Sequence, residues 1–505
     1  MKSKISFAKR FIIAMLILVM VVGSFASADT LPYVTYNFDY WEDIVYTPAA
    51  YVPDGSISAA SLGLEDEINS VTDLYVQPDF GLIYILDNDT TNNTSRVIVV
   101  NANDYSLVTV MDEFYNSDTG MMDSFATAQG IFMTETGYLY VCDTNNERLL
   151  IFKMISDSEY EYYGHLESSM IESDILEEGY AFKPLKVCVD AADRIYVINQ
   201  NEKQGVLQLE QDGTFNGYFG TISVSISLWQ KFWKTVSTKA QRSKSSLYVA
   251  TEYTGIDLDD DGFLYATYLD TTGTQAVMRL NSKGGDVIRK GSNENVGGDI
   301  ISGSSSLNLY CGTSRITDVV YCGEGIYSMI DKLRGRIFTY DSEGNLLYIY
   351  GGYSVSLEGC FSSPSGIETN GNQRLVSDVN RSEVTIFSPT QYGTLINEAV
   401  ACRYDGDETE AVEKWNEVLK LNENFEQAYI GIGKAYLNDG QYKKAMDYLD
   451  LGMSRSYYSI AYKRYRNDII KTNFNWIFGG IIVIIVLLMA RSLYKKSKKR
   501  KKDDF

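Results

Sequence analysis

The 505-residue chain is 45% hydrophobic and 22% charged, which excludes a disordered or fibrous polymer and, at about 100–200 residues per domain, predicts two to four domains. Its formal net charge is −21. The ends are basic, +4 from Lys2, Lys4, Lys9 and Arg10 and a net +6 between Arg491 and Asp504, so the middle carries about −31, which argues against nucleic acid as a partner of the main body.

Taken in chain order, the first element is a secretory signal at residues 1–28: basic residues from Lys2 to Arg10, an apolar run from Phe11 to Val22, and Ala26-Ser27-Ala28 at the cleavage position. An uncleaved anchor is the alternative; the short run and the cleavage box weigh against it.

A pattern then recurs six times, most clearly at Gln129-Gly130-Ile131: a polar-Gly-apolar entry, a turn with Gly or Asp, and an apolar-Tyr-apolar strand ending in Asp or Asn. Its entries fall at 73, 130, 186, 255, 318 and 366, spaced 48 to 69 residues apart, the length of a four-stranded sheet with loops. The expected fold is therefore mainly β, a six-bladed β-propeller over residues 29–390, each period-two strand burying one face against the neighbouring blade. The sixth copy lacks an outer strand, and Tyr33 to Phe38 is expected to supply it. A basic amphipathic stretch at about 222–244, with Leu228, Trp229, Phe232, Trp233 and Val236 on one face, reads as a helical insertion whose tryptophans cover a propeller face rather than a membrane surface.

Asp143-Thr144-Asn145-Asn146-Glu147-Arg148-Leu149, with Gly130-Ile131 upstream, is similar to the NHL repeat, and residues 33–388 resemble an NHL-type propeller and, more distantly, the gluconolactonase-like propellers. The third and fourth copies lack the Asn-x-Arg after the strand-end residue and rest on periodicity. The resemblance implies that a lactonase of this kind would hold one divalent metal in the central channel with acidic and amide side chains. Aligned entries place Thr72, Asp73, Gln129, Lys186, Thr254, Asp318 and Ser365 around one channel mouth. Two carboxylates beside a lysine suit a polar ligand-binding rim better than a metal cage.

Asp257-x-Asp259-x-Asp261-Gly262 has the spacing of half a calcium loop, which makes calcium the one cofactor candidate. Tyr268 stands where the bidentate glutamate belongs, and the segment coincides with a hairpin, so a plain turn is preferred. The single histidine, His165, excludes two-histidine metal sites, and it reads as a surface residue rather than part of a serine triad. Of six cysteines, Cys142 and Cys188 fall within apolar strands and read as buried free thiols. Most of the 39 tyrosines also sit inside strand patterns, which assigns them to blade seams before any sugar-stacking role.

Residues 391–472 read as helices resembling the tetratricopeptide repeat: Ala411 and Ala445 are 34 positions apart, Gly433 and Tyr436 keep the small-aromatic pattern, and Trp415 and Leu449 fill the gap between helices. Two repeats are too few to stand alone, so they are expected to pack on the propeller or a partner. A transmembrane helix at 473–490 and a basic tail at 491–505 follow, and the positive-inside bias places the tail in the cytoplasm. The combined expectation is a single-pass protein of a bacterial-type cell membrane with its ectodomain outside. Its propeller would bind a ligand, a glycan or something tied to sugar uptake, and its helices a membrane protein or transporter complex. The alternative is a metal-dependent lactonase or hydrolase of the gluconolactonase type.

Overall fold

The computed structural model describes residues 31–171, 180–220, 252–270, 275–291, 295–299 and 313–503. The expected signal at 1–28, the amphipathic insertion at 222–244 and Cys311 lie outside the described residues.

Six antiparallel sheets stand in a ring. Their inner strands are Val71–Gln77, Gly130–Met133, Pro184–Val189, Tyr253–Leu258, Ile316–Tyr321 and Pro364–Asn370, and each lies against the next, the sixth against the first. We number the blades 1 to 6 in that order. Blades 1, 2 and 3 have four strands each, blade 4 has three among the described residues, and blade 5 adds the short parallel strand Cys360–Phe361 to four.

Blade 6 closes the ring. Its outer strand is Tyr51–Ser58, paired antiparallel with Glu383–Pro389 through Val384↔Ile57 and Phe387↔Pro53. This corrects the expectation for Tyr33 to Phe38: Tyr36–Phe38 instead pairs with Ile44–Tyr46 in a separate hairpin, where Asn37 donates to Leu347 O of blade 5 at 3.1 Å.

The carboxylate that ends the second strand of a blade proves to be a tie within the fold. Asp143 accepts from Ala126 N at 2.7 Å, Asn146 Nδ2 at 2.9 Å and Arg148 Nε at 2.7 Å. Asp87, Asp331 and Asp378 likewise accept from the backbone leading into their own inner strands, and Asn199 does so in blade 3. Each is buried, and buried carboxylates persist only when paired or hydrogen-bonded. The seams between blades are aromatic: Tyr327 lies 5.0 Å from Tyr265 and 5.5 Å from Tyr340, ring to ring. Cys142 and Cys188 are buried free thiols.

Helix α1, Ala59–Leu62, follows the closing strand. After blade 6 come α2 (Gln391–Tyr404), α3 (Glu408–Leu421), α4 (Glu426–Asn438), α5 (Tyr442–Leu451), α6 (Arg455–Thr472) and α7 (Phe474–Asp503). A Cβ on Gly431 of α4 would stand 2.4 Å from Trp415 Nε1, so glycine is what lets α3 and α4 approach. The helices share a continuous core with the propeller, in which Ile396, Val400 and Trp415 join Tyr51, Ile330 and Tyr350. Thr390 caps α2 and donates to Ala49 O at 2.6 Å, so the backbone leading into the closing strand also anchors α2. The segment 474–496 of α7 is long and apolar enough to cross a membrane, and none of its apolar window is buried in the protein.

Candidate functional site: the propeller axis

Inner strands run from one mouth of the channel to the other, so the aligned entry positions form one layer of side chains around the axis. That layer alternates: Asp73, Gly130, Lys186, Gly255, Asp318, Gly366. Charged side chains come from blades 1, 3 and 5, and glycines from blades 2, 4 and 6 leave them room. A Cβ on Gly255 would stand 2.3 Å from Asp318 Oδ1 and 2.7 Å from its Cα.

The three charges meet. Lys186 Nζ donates to Asp73 Oδ1 at 2.5 Å and to Asp318 Oδ2 at 3.2 Å, with all three side chains at most 12% exposed. Each aspartate also accepts from the next blade, Asp73 from Ile131 N at 3.0 Å and Asp318 from Ile367 N at 3.3 Å. Burial works against the Lys186 ammonium, but the Asp318 and Asp73 charges outweigh it and hold its pKa above the ordinary value. Burial raises Asp73 and pushes Asp318 up to about 6, with Lys186 opposing in both cases.

Two residues further along, a second layer holds Tyr75, Phe132, Cys188, Asp257 and Glu368. Asp257 accepts from Tyr321 N at 2.6 Å and Leu258 N at 2.8 Å, and burial pushes it up to about 7. Glu368 is raised well above the carboxylate range, by burial first and then by the charges of Asp257, Asp318 and Asp73. The cavity between the layers is about 20 Å³, room for about one water molecule and none for a sugar ring.

The other entry residues lie elsewhere. Strand alternation turns Thr72, Thr254 and Ser365 into the seams, where they donate to the next blade at Ala128 O (3.0 Å), Ile316 O (3.0 Å) and Val71 O (2.7 Å). Gln129 is half-buried beside Gly130. The aspartates considered for calcium have separate partners: Asp257 faces the axis, while Asp259 and Asp261 both bind Arg279 Nη2, at 2.6 and 3.1 Å. Asp259 also accepts from Asp261 N and Phe263 N, the pattern of a hairpin turn. His165 is half-buried on the outer strand of blade 2, its Nδ1 2.7 Å from Tyr162 OH.

The residues at the axis do not fit a divalent cation. Lys186 stands between the two entry-layer carboxylates that would hold it, and no three His, Cys, Asp or Glu side chains among the described residues converge as a metal site. A fixed ammonium braces blades 1, 3 and 5 across the channel.

The raised carboxylates have a consequence for stability. An aspartate at about 7 or 6 in the fold, against an ordinary value of 3.8, binds a proton the unfolded chain has released. That contribution is full below pH ~4 and is lost as pH rises through 6 and 7. The unfolding midpoint is therefore expected to rise as pH is lowered from 8 to 5.5, and Asp257→Asn should flatten the profile. A midpoint that falls over this range in differential scanning calorimetry contradicts the assignment.

No family model and no curated protein matches the chain. Solved structures do. Selenomethionine-substituted virginiamycin B lyase from Staphylococcus aureus is 11% identical, over 67% of this chain and 100% of that one, with a TM-score of 0.38. A putative gluconolactonase is 13% identical over 68% of this chain and 94% of that one, with a TM-score of 0.36. At these identities the likeness is one of fold alone.

Proposed function

We propose that the protein is a membrane-anchored binding and scaffold protein of the extracytoplasmic face, its propeller engaging a ligand and its helices a protein partner. The observation that carries the reading is how the two parts are joined. Helices α2 and α3 sit against the turns of blades 5 and 6, leaving an open cleft of about 570 Å³ between Glu324 and Asn372 on the propeller and Asn397, Glu398, Glu410 and Lys414 on the helices. A cleft built jointly by two modules suits recognition, while at the axis Lys186 is held between Asp73 and Asp318 and a cavity of about 20 Å³ has no room for a sugar ring. Most of the cleft's charged groups are carboxylates, which favours a neutral or amino-bearing glycan over a phosphate-bearing one. The unburied apolar stretch of α7 supports the anchor, and the signal at 1–28 and the basic tail support an outward ectodomain.

Binding of the full chain in detergent to glycan arrays, combined with protease treatment of intact cells, tests the reading. Saturable glycan binding that Glu398→Ala or Asn372→Ala weakens about tenfold, with the ectodomain cleaved from outside, is the expected result. Blank arrays together with a protease-protected propeller would sink it.

A further inference from the structure

A second cavity, of about 230 Å³, lies between blade 5 and helices α2, α3 and α4. The strands Arg336–Tyr340 and Leu346–Tyr353 meet there in a rigid turn, where Asp341 Oδ1 accepts from Glu343 N at 3.0 Å and Asn345 N at 2.8 Å. This turn carries Glu343 to the helices. Its Oε1 accepts from Arg403 Nη2 of α2 at 3.2 Å, and its Oε2 pairs with Lys434 Nζ of α4. Lys434 is 5% exposed, and its ammonium also lies over the Tyr457 ring of α6 at 4.2 Å. Lysines are rarely buried that far without a partner. Burial opposes the Glu343 carboxylate, yet Lys434 and Arg403 bring its pKa below the ordinary value.

Two buried N–H donors of residues lining the same cavity have no hydrogen-bond acceptor among the described residues. One is Arg403 Nη1, ion-paired at 3.7 Å with Glu408 Oε2, a buried acceptor that likewise lacks a hydrogen-bond partner. The other is the indole Nε1 of Trp415, a residue 4% exposed. A buried donor without an acceptor is costly, so the site favours a ligand that brings acceptor oxygens. Two cations that already hold one carboxylate define which oxygens those are.

We propose that this cavity is the docking site for an acidic polypeptide segment of the helices' partner, and that Glu343 is its intramolecular occupant. The proposal rests on the reading that the helices bind a protein. A carboxylate of the partner displaces Glu343 from Arg403 and Lys434 and accepts from Arg403 Nη1 and Trp415 Nε1. Propeller and partner therefore compete for one site, which couples partner binding to the contact between blade 5 and the helices.

The test is fluorescence anisotropy of a labelled hexaglutamate peptide, with hexaglutamine as control, added to the full chain in detergent. Glu343→Gln, which frees both cations, should bind hexaglutamate about tenfold more tightly than the parent, and Glu343→Gln with Lys434→Met should lose that gain. Arg403→Gln, which leaves the Lys434–Glu343 pair intact, should weaken binding in the parent chain, with helicity checked by circular dichroism. Equal affinity of parent and Glu343→Gln, or equal binding of hexaglutamine, overturns the proposal. A photo-crosslinker at Gln427 in intact cells separates this failure from failure of the wider reading. A protein crosslinked through a neutral or basic segment removes the acidic ligand alone, and no crosslink there or elsewhere on α2 to α5 removes the protein partner as well.

Discussion

Lys186→Met should destabilise the propeller by about 3–5 kcal/mol, the range for removing one partner of a buried ion pair. The lost ammonium leaves Asp73 and Asp318 facing each other inside the ring, both almost fully buried, and their backbone donors, Ile131 N and Ile367 N, cannot neutralise two charges. The deficit should shrink as pH falls, because burial already raises Asp318 and the loss of the opposing Lys186 charge raises it further, so that it takes up a proton more readily than in the parent chain. Asp73→Asn and Asp318→Asn added to Lys186→Met should recover most of the loss, because a wholly neutral replacement of a buried ionic cluster is often close to neutral in stability. Urea unfolding of the three chains at pH 8 measures this. A single variant within ~1 kcal/mol of the parent would mean that the lysine braces nothing.

Removal of residues 31–58 should abolish cooperative unfolding, whereas removal of 31–47 should only lower the midpoint. The first deletion takes away the outer strand of blade 6, uncovers Val384, Ile386 and Phe387, and opens an unpaired edge of the kind that aggregates. It also removes Ala49 and Ala50, whose carbonyls hold the cap of α2. The shorter deletion removes the Tyr36–Phe38 hairpin and leaves closure intact. Calorimetry with light scattering separates them, and equal behaviour of the two chains would contradict the closing role of Tyr51–Ser58.

The blades are legible because they repeat a physical necessity: alternating apolar strands, and in blades 1, 2, 5 and 6 a strand-end carboxylate that must satisfy the backbone entering its own blade. The closing strand is not. Tyr51–Ser58 contains Pro53 and Gly55, which speak against a central strand but are tolerated at an outer edge, where one side of the backbone needs no partner. Tyr33 to Phe38 alternates better and yet forms only a short hairpin. At the axis, Asp73, Lys186 and Asp318 could be read from the aligned entries. A blade alignment groups their neighbours Thr72, Thr254 and Ser365 with them because it loses the period-two alternation that turns adjacent side chains to opposite faces. The alternation of charge and glycine around the ring was visible in the same alignment and identifies the inward position. Glu368 and Tyr75 were missed, although they lie two residues beyond entry positions and so on the same face. Contacts between blade 5 and the helices, such as Glu343 with Lys434, join residues 91 positions apart, and no local pattern announces them.

At the propeller axis an ammonium, and not a metal ion, joins the carboxylates. Elemental analysis of the purified full chain, with calorimetric titration of calcium and manganese before and after chelation, tests it most directly. The expected result is no stoichiometric divalent ion and no saturable heat in the parent chain, with stability unchanged by chelator. A tightly held ion whose removal abolishes hydrolysis of a lactone would contradict it and make the protein an enzyme.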